Sequence, residues 1–309
     1  VSEPVVKQKV PHVPPEAIKA IPVRHYGRWI SAVLVLVMLG LLGWALSNAE
    51  IKWGTVPDYL DYDTVLKGAG NTLLITVLGM LIGVLLGTLL AVMRLSKNPV
   101  VSSVAWGYVW FFRGTPVLVQ LMLWYNLALI FPILNLGFYK DEMNDVMTPF
   151  LAALLGLGLN EAAYMAEISR AGIQSVDEGQ TEAAQALGMT RTRTMQRIVL
   201  PQAMRVIVPP TGNEFINMLK TSSLCFAIQF EELMKSVTDI SSRNLAVMEL
   251  LMVATIWYLV LTTVFSIGQF YIERYFQRGS SRTLPETPLQ RARRNLMTFT
   301  RGTGSGAKA

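Results

Sequence analysis

Three stretches of the chain, residues 29–49, 68–93 and 250–272, contain no charged side chain and few polar ones. Each exceeds the roughly 20 apolar residues that a helix needs to cross a bilayer, so each predicts a spanning helix. Three further segments are apolar but interrupted: about 104–131 with Arg113, about 149–168 with Glu161 and Glu167, and about 199–219 with Glu214. Charges inside such segments line a pathway or are paired in the protein interior. The pattern predicts an all-α integral membrane protein of about six transmembrane helices. In the second stretch Gly79, Gly83 and Gly87 recur every four residues on one stripe, where another helix approaches closely, either within the subunit or across a dimer.

Composition agrees with a membrane protein: 52% of the 309 residues are hydrophobic, 16% are charged and the mean hydropathy is +0.40. The single Cys225 excludes an internal disulfide and any multi-cysteine metal site, and His12 and His25 leave little for histidine metal chemistry. A pI near 9.4 is compatible with nucleic acid, but the basic residues collect beside apolar segments, as the positive-inside rule requires. With the N-terminus, the 94–99 turn, the 169–205 loop and the C-terminal tail on one side, that side carries 20 of the 27 Lys and Arg. Segments 50–67, 132–148 and 220–249 carry 6, so both termini are expected to be cytoplasmic and 50–67 external.

The first stretch is expected to be a retained anchor, because its apolar part exceeds the roughly 7 to 15 residues of a signal-peptide core. The alternative, a cleaved leader, rests on the small residues Ala45, Ser47 and Ala49. Residues 1–28 and 277–309 are expected to be disordered cytoplasmic extensions whose basic side chains touch anionic membrane lipid.

Loop 169–205 is too long and too charged for a simple turn. Residues 181–187 are mostly strong helix formers with Thr181 placed to cap them, and Gly188 is suited to a positive φ at the C-terminal end. Residues 190–199 predict a second helix, ended by Pro201. Two short helices at a glycine elbow make a projecting knob, a shape suited to docking a soluble partner.

These residues carry a family resemblance. Glu182-Ala183-Ala184, then Gly188, then Ile198-x-Leu200-Pro201 resembles the EAA loop of bacterial ATP-binding-cassette (ABC) importer permeases. The flanking Phe112-Arg113-Gly114-Thr115-Pro116, residues 163–173, Pro201-Gln202-Ala203-Met204-Arg205 and Lys220-Thr221-Ser222-Ser223 look like the polar amino acid subfamily. The resemblance covers about residues 68–276. It implies a five-helix type I ABC importer permease core with one extra N-terminal helix, a departure from the subfamily's usual five spans. It further implies that Thr181, Glu182, Ala183, Ala184, Leu187, Gly188, Ile198, Leu200 and Pro201 form a coupling helix and its supports, seated in a cytoplasmic ATPase. Glu182 would fix the loop by charge-assisted hydrogen bonds, and Ala183, Ala184 and Leu187 would supply a small packed face. The implied partners are ABC ATPase subunits, a second permease copy or close relative, and an external or periplasmic amino-acid-binding protein, with no nucleic acid.

The chain itself is expected to be non-catalytic and to need no cofactor, ATP and Mg being bound by the partner ATPase. It has no phosphate-binding loop; the glycines of residues 302–308 have the wrong spacing and context.

Starting the fourth span at Pro149 puts Glu161 about 18 Å along the helix, near mid-membrane, with Asn160 and Tyr164 beside it. Glu161 is expected to meet an amino acid's ammonium group or to be paired structurally with Arg113. Glu167, about 27 Å along, and Arg170 are read mainly as architectural. Asn213, Glu214 and Asn217 follow Pro209-Pro210, where missing N–H groups predict a kink lining a cavity or a merely bent packed helix. Arg113 and Thr115 precede or meet a break at Pro116. The resemblance leans to glutamine or glutamate as the cargo. An ion-coupled secondary amino acid transporter is the alternative, and it leaves the cytoplasmic knob unexplained.

Overall fold

The computed structural model describes residues 26–276; the expected extensions 1–28, apart from its last three residues, and 277–309 lie outside the described residues. Two units are distinguished, residues 1–51 and residues 52–309. In the first, helix α1 (Tyr26–Ser47) is apolar all round from Ile30 onward. It ends two residues before the expected 49, because the Ser47 hydroxyl and the Asn48 side-chain amide both donate to the Trp44 carbonyl and satisfy the helix terminus.

The second unit starts with α2 (Thr55–Leu60) and the long α3 (Asp63–Arg94). Its 32 residues span about 48 Å, so the polar first turn around Asp63 and Lys67 extends the helix beyond the apolar stretch. There follow α4 (Pro99–Gly114), α5 (Val117–Tyr125), a small hairpin of β1 (Ile133–Asn135) with β2 (Lys140–Glu142), and α6 (Met143–Val146). The hairpin was not foreseen in an all-helical reading; Gly137 makes its turn at φ +83. Then come α7 (Pro149–Gln174), α8 (Glu178–Ala186), α9 (Arg191–Thr194), a π-helical turn (Met195–Val199), α10 (Leu200–Thr221), a 3-10 segment (Ser222–Ile228), α11 (Leu233–Asn244) and α12 (Val247–Phe276). Among the described residues four helices are long and apolar enough to cross a membrane: α1, α3, α7 and α12. The chain is a multi-pass membrane protein of all-α class.

The third predicted span is two helices, not one. Thr115-Pro116 separates α4 from α5, since Pro116 has no N–H to continue the ladder. Backbone groups freed inside a membrane must find partners. The Gln120 Nε2 donates to the Phe112 carbonyl at 2.9 Å and to Thr115 Oγ1 at 2.7 Å, and Asn160 Nδ2 donates to Phe112 O at 3.0 Å and Gln120 Oε1 at 3.1 Å. The break is thereby locked to α7.

The glycine stripe is used inside the chain. A Cβ on Gly87 would lie 2.5 Å from Met165 Cβ and 2.8 Å from the Ala162 carbonyl, so α3 and α7 approach closely enough to exclude any side chain there. At the end of the unit, α11 caps a second apolar cluster with α3 and α12 through Leu233, Val237, Val65 and Leu250. Glu232, fully buried, begins α11: its carboxylate accepts from the Met234 and Lys235 amides at 2.8 Å each and from the Tyr258 hydroxyl at 2.9 Å.

Candidate functional site

The α4–α5 break, α7 and α10 enclose a cavity of about 890 Å³. Of the eight path candidates, Arg113, Thr115, Asn160, Glu161, Tyr164, Glu214 and Asn217 line it. Asn213 does not. Its Oδ1 accepts from Gln269 Nε2 of α12 at 3.0 Å, because one residue on a helix is a rotation of about 100° away from Glu214. Lys220 and Ser223 also line the cavity and were not singled out. The signal for Lys220 was there: it follows Asn217 by three residues, as Asn217 follows Glu214, so each is a neighbour of the next on α10.

The wall therefore carries two carboxylates, Glu161 and Glu214, and two cations, Arg113 and Lys220. Glu161 is only 6% exposed and its Oε1 has no hydrogen-bond partner. The expected pairing with Arg113 is not formed. The Arg113 guanidinium sits instead over the Tyr164 ring, 5.1 Å from its centroid. The reason is local: Tyr164 is one turn beyond Asn160, whose amide holds the α4–α5 break, so the ring is brought under the last turn of α4.

Farther along α7, Glu167 is paired with Arg170 at 2.6 Å and with Arg94 of α3 at 3.5 Å. Arg170 also donates to Gln174 at 2.8 Å. This cluster ties the ends of α3 and α7 together.

The loop residues form a knob, with two corrections. Helix α8 starts at Glu178, a turn before Thr181, because the Asp177 carboxylate accepts from the Gly179 amide at 2.8 Å and serves as the cap. The C-terminal end closes with Gly188 at φ +78, the Met189 amide reaching the Ala184 carbonyl at 3.0 Å and the Gly188 amide that of Gln185 at 2.9 Å. Pro201 does not end a helix. It sits in the first turn of α10, which the chain enters from α9 through the π-helical turn containing Ile198. On the knob Ala184 is buried, whereas Glu182 and Ala183 are exposed and Leu187 is 84% exposed. Leu200 and Pro201 are exposed as well. Helix α10 runs unbroken through Pro209 and Pro210.

A charged cavity inside a bundle of membrane helices, with a capped helical knob on the connection between two of them, defines a membrane transport subunit. The chain belongs to the family described as binding-protein-dependent transport system inner membrane components, whose model matches residues 83–278. It is 49% identical over 276 residues to the arginine transport system permease protein ArgU of Corynebacterium glutamicum, covering 87% of this chain and 86% of that one. It is 34% identical to the probable glutamine ABC transporter permease protein GlnM of Bacillus subtilis, covering 75% and 99%. Among solved structures, an amino acid ABC transporter crystallised with histidines is similar, with 36% identity and a TM-score of 0.64 over 74% of this chain and 100% of that one.

Proposed function

We propose that this chain is the permease subunit of an ATP-driven amino acid importer, and that the cavity between α4, α7 and α10 is its translocation site. The observation that carries this reading is the cavity wall, where Glu161 and Glu214 stand with Arg113 and Lys220 and one Glu161 oxygen is buried without a partner. A zwitterion supplies the missing partners: its carboxylate meets a cation of the wall and its ammonium meets a carboxylate. With the ammonium on Glu161, Glu214 is left to meet the cargo's side chain, which an amide or a cation suits. Glutamine remains a candidate, arginine and its kind join it, and glutamate is disfavoured by like charge against Glu161 and Glu214.

The knob of α8 and α9 is the coupling element. It docks to an ABC ATPase, which binds ATP and Mg; this chain holds no cofactor and breaks no bond. The charge distribution supports cytoplasmic termini and a cytoplasmic knob. A second copy or close relative completes the membrane dimer, and an external binding protein delivers cargo. Closure of the ATPases moves the knobs as rigid bodies and alternates access to the cavity.

Tagging the chain, extracting it gently and identifying its companions by mass spectrometry tests the assembly. A cassette ATPase is expected, with or without a second permease. The chain recovered alone after crosslinking would favour an ion-coupled transporter instead. Competition for uptake by unlabelled arginine, glutamine and glutamate then tests the cargo class, with glutamate expected to compete least.

A further inference from the structure

We infer that Arg113 is a door between two compartments of the path, and that the second compartment is a transit site for the same amino acid cargo. Arg113 and Gly114 line the central cavity and also line a second, open-sided pocket of about 360 Å³, bordered by Arg94, Glu167 and the exposed Trp106 and Trp110. The two compartments meet at the last turn of α4. The Arg113 guanidinium rests there on the Tyr164 ring. Tyr164 stands three residues after Glu161 and three before Glu167 on α7.

Glu167 lies about 9 Å beyond Glu161 along the helix, roughly the length of one extended amino acid. The second compartment repeats the chemistry of the first: a carboxylate for an ammonium group, the guanidinium groups of Arg94 and Arg113 for a carboxylate, and aromatic walls. Glu167 is engaged by Arg94 and Arg170. A departing amino acid exchanges Glu161 for Glu167 at its ammonium end while its carboxylate stays with Arg113, which must leave the Tyr164 face for the cargo to pass. A cation–π contact holds such a door without the cost of breaking a buried ion pair.

This rests on the importer reading, and the experiment separates the two. The complete complex with its ATPase is reconstituted into vesicles preloaded with labelled arginine, and efflux is followed without ATP. Tyr164→Leu removes the ring and is expected to raise ATP-independent efflux roughly two- to fivefold, the order of a cation–π contact at an exposed guanidinium. Tyr164→Phe keeps the ring and is expected to hold efflux near the unmodified level. Should Tyr164→Leu not assemble, Tyr164→Met, which keeps bulk and removes the ring, carries the same expectation. Efflux unchanged in an assembled variant, whether or not its KM for uptake rises, overturns the door. A wild-type complex without ATP-driven uptake would instead overturn the importer reading.

Discussion

Glu161 of α7 packs against the backbone of Gly83 on α3: a Cβ on Gly83 would sit 2.5 Å from Glu161 Cγ and 2.9 Å from its Cβ. The carboxylate that faces the cavity is thus placed by the absence of a side chain on the neighbouring helix. Gly83→Ala must either push Glu161 aside or separate α3 from α7. The expected cost is about 1–3 kcal/mol, the usual penalty of overpacking, read as a lower melting temperature of the detergent-purified complex together with impaired uptake. A variant with wild-type melting and uptake would show that the contact has slack.

Glu161→Gln keeps the shape and removes the charge. A hydrogen bond to a charged group is worth about 1.5–3 kcal/mol, so the apparent KM for uptake is expected to rise roughly tenfold to a hundredfold with membrane insertion intact. Unchanged kinetics would remove Glu161 from the site.

Gly188 closes α8 at φ +78. A β-branched residue in that conformation is strained by about 1–3 kcal/mol, which the exposed knob has little packing to offset. Gly188→Val is expected to abolish both uptake and substrate-stimulated ATP hydrolysis while the chain still inserts. Normal uptake by that variant would contradict the coupling role of α8.

Glu232 lies between spans, at the start of α11. Burial pushes its carboxyl up from 4.5 to about 7, against the pull of the hydrogen bonds from the Met234 and Lys235 amides and the Tyr258 hydroxyl. The folded state therefore binds the proton more tightly than the unfolded state. Stability from this group is fully present below about pH 4.5 and is lost as pH rises through about 7, by on the order of 3 kcal/mol. The melting temperature is expected to fall from pH 5 to about pH 7.5, and Glu232→Gln should flatten that slope. A slope of opposite sign, or one that survives the substitution, would assign the titration elsewhere.

The uncharged stretches revealed the long helices because a bilayer demands length and apolarity together. Arg113 and Pro116 announced a break, but its repair by Gln120 and Asn160 is a tertiary arrangement that no local pattern specifies. Glu161, Glu214 and Asn217 were legible as cavity residues because polar side chains in apolar segments are costly. Asn213 was not separable from them without knowing which face of α10 meets α12. The start of α8 was missed because Asp177 and Thr181 are both acceptable caps, and Pro201 was read as a stop although proline suits a first turn equally well. The partner of the glycine stripe was open, since close packing looks the same in sequence whether it is made within a chain or between chains. Glu232 gave no signal at all: its carboxylate is met by the Tyr258 hydroxyl, 26 residues after it, and the neighbouring Leu233 amide donates to the Thr72 hydroxyl, 161 residues before that amide.

The most direct measurement of the central claim is uptake of labelled arginine into vesicles carrying the purified complex and the external binding protein, with and without ATP at the ATPase face. Uptake that requires ATP, and that fails when the ATPase is replaced by a hydrolysis-deficient form, is the predicted result. Uptake that proceeds without ATP and follows an imposed ion gradient would contradict it.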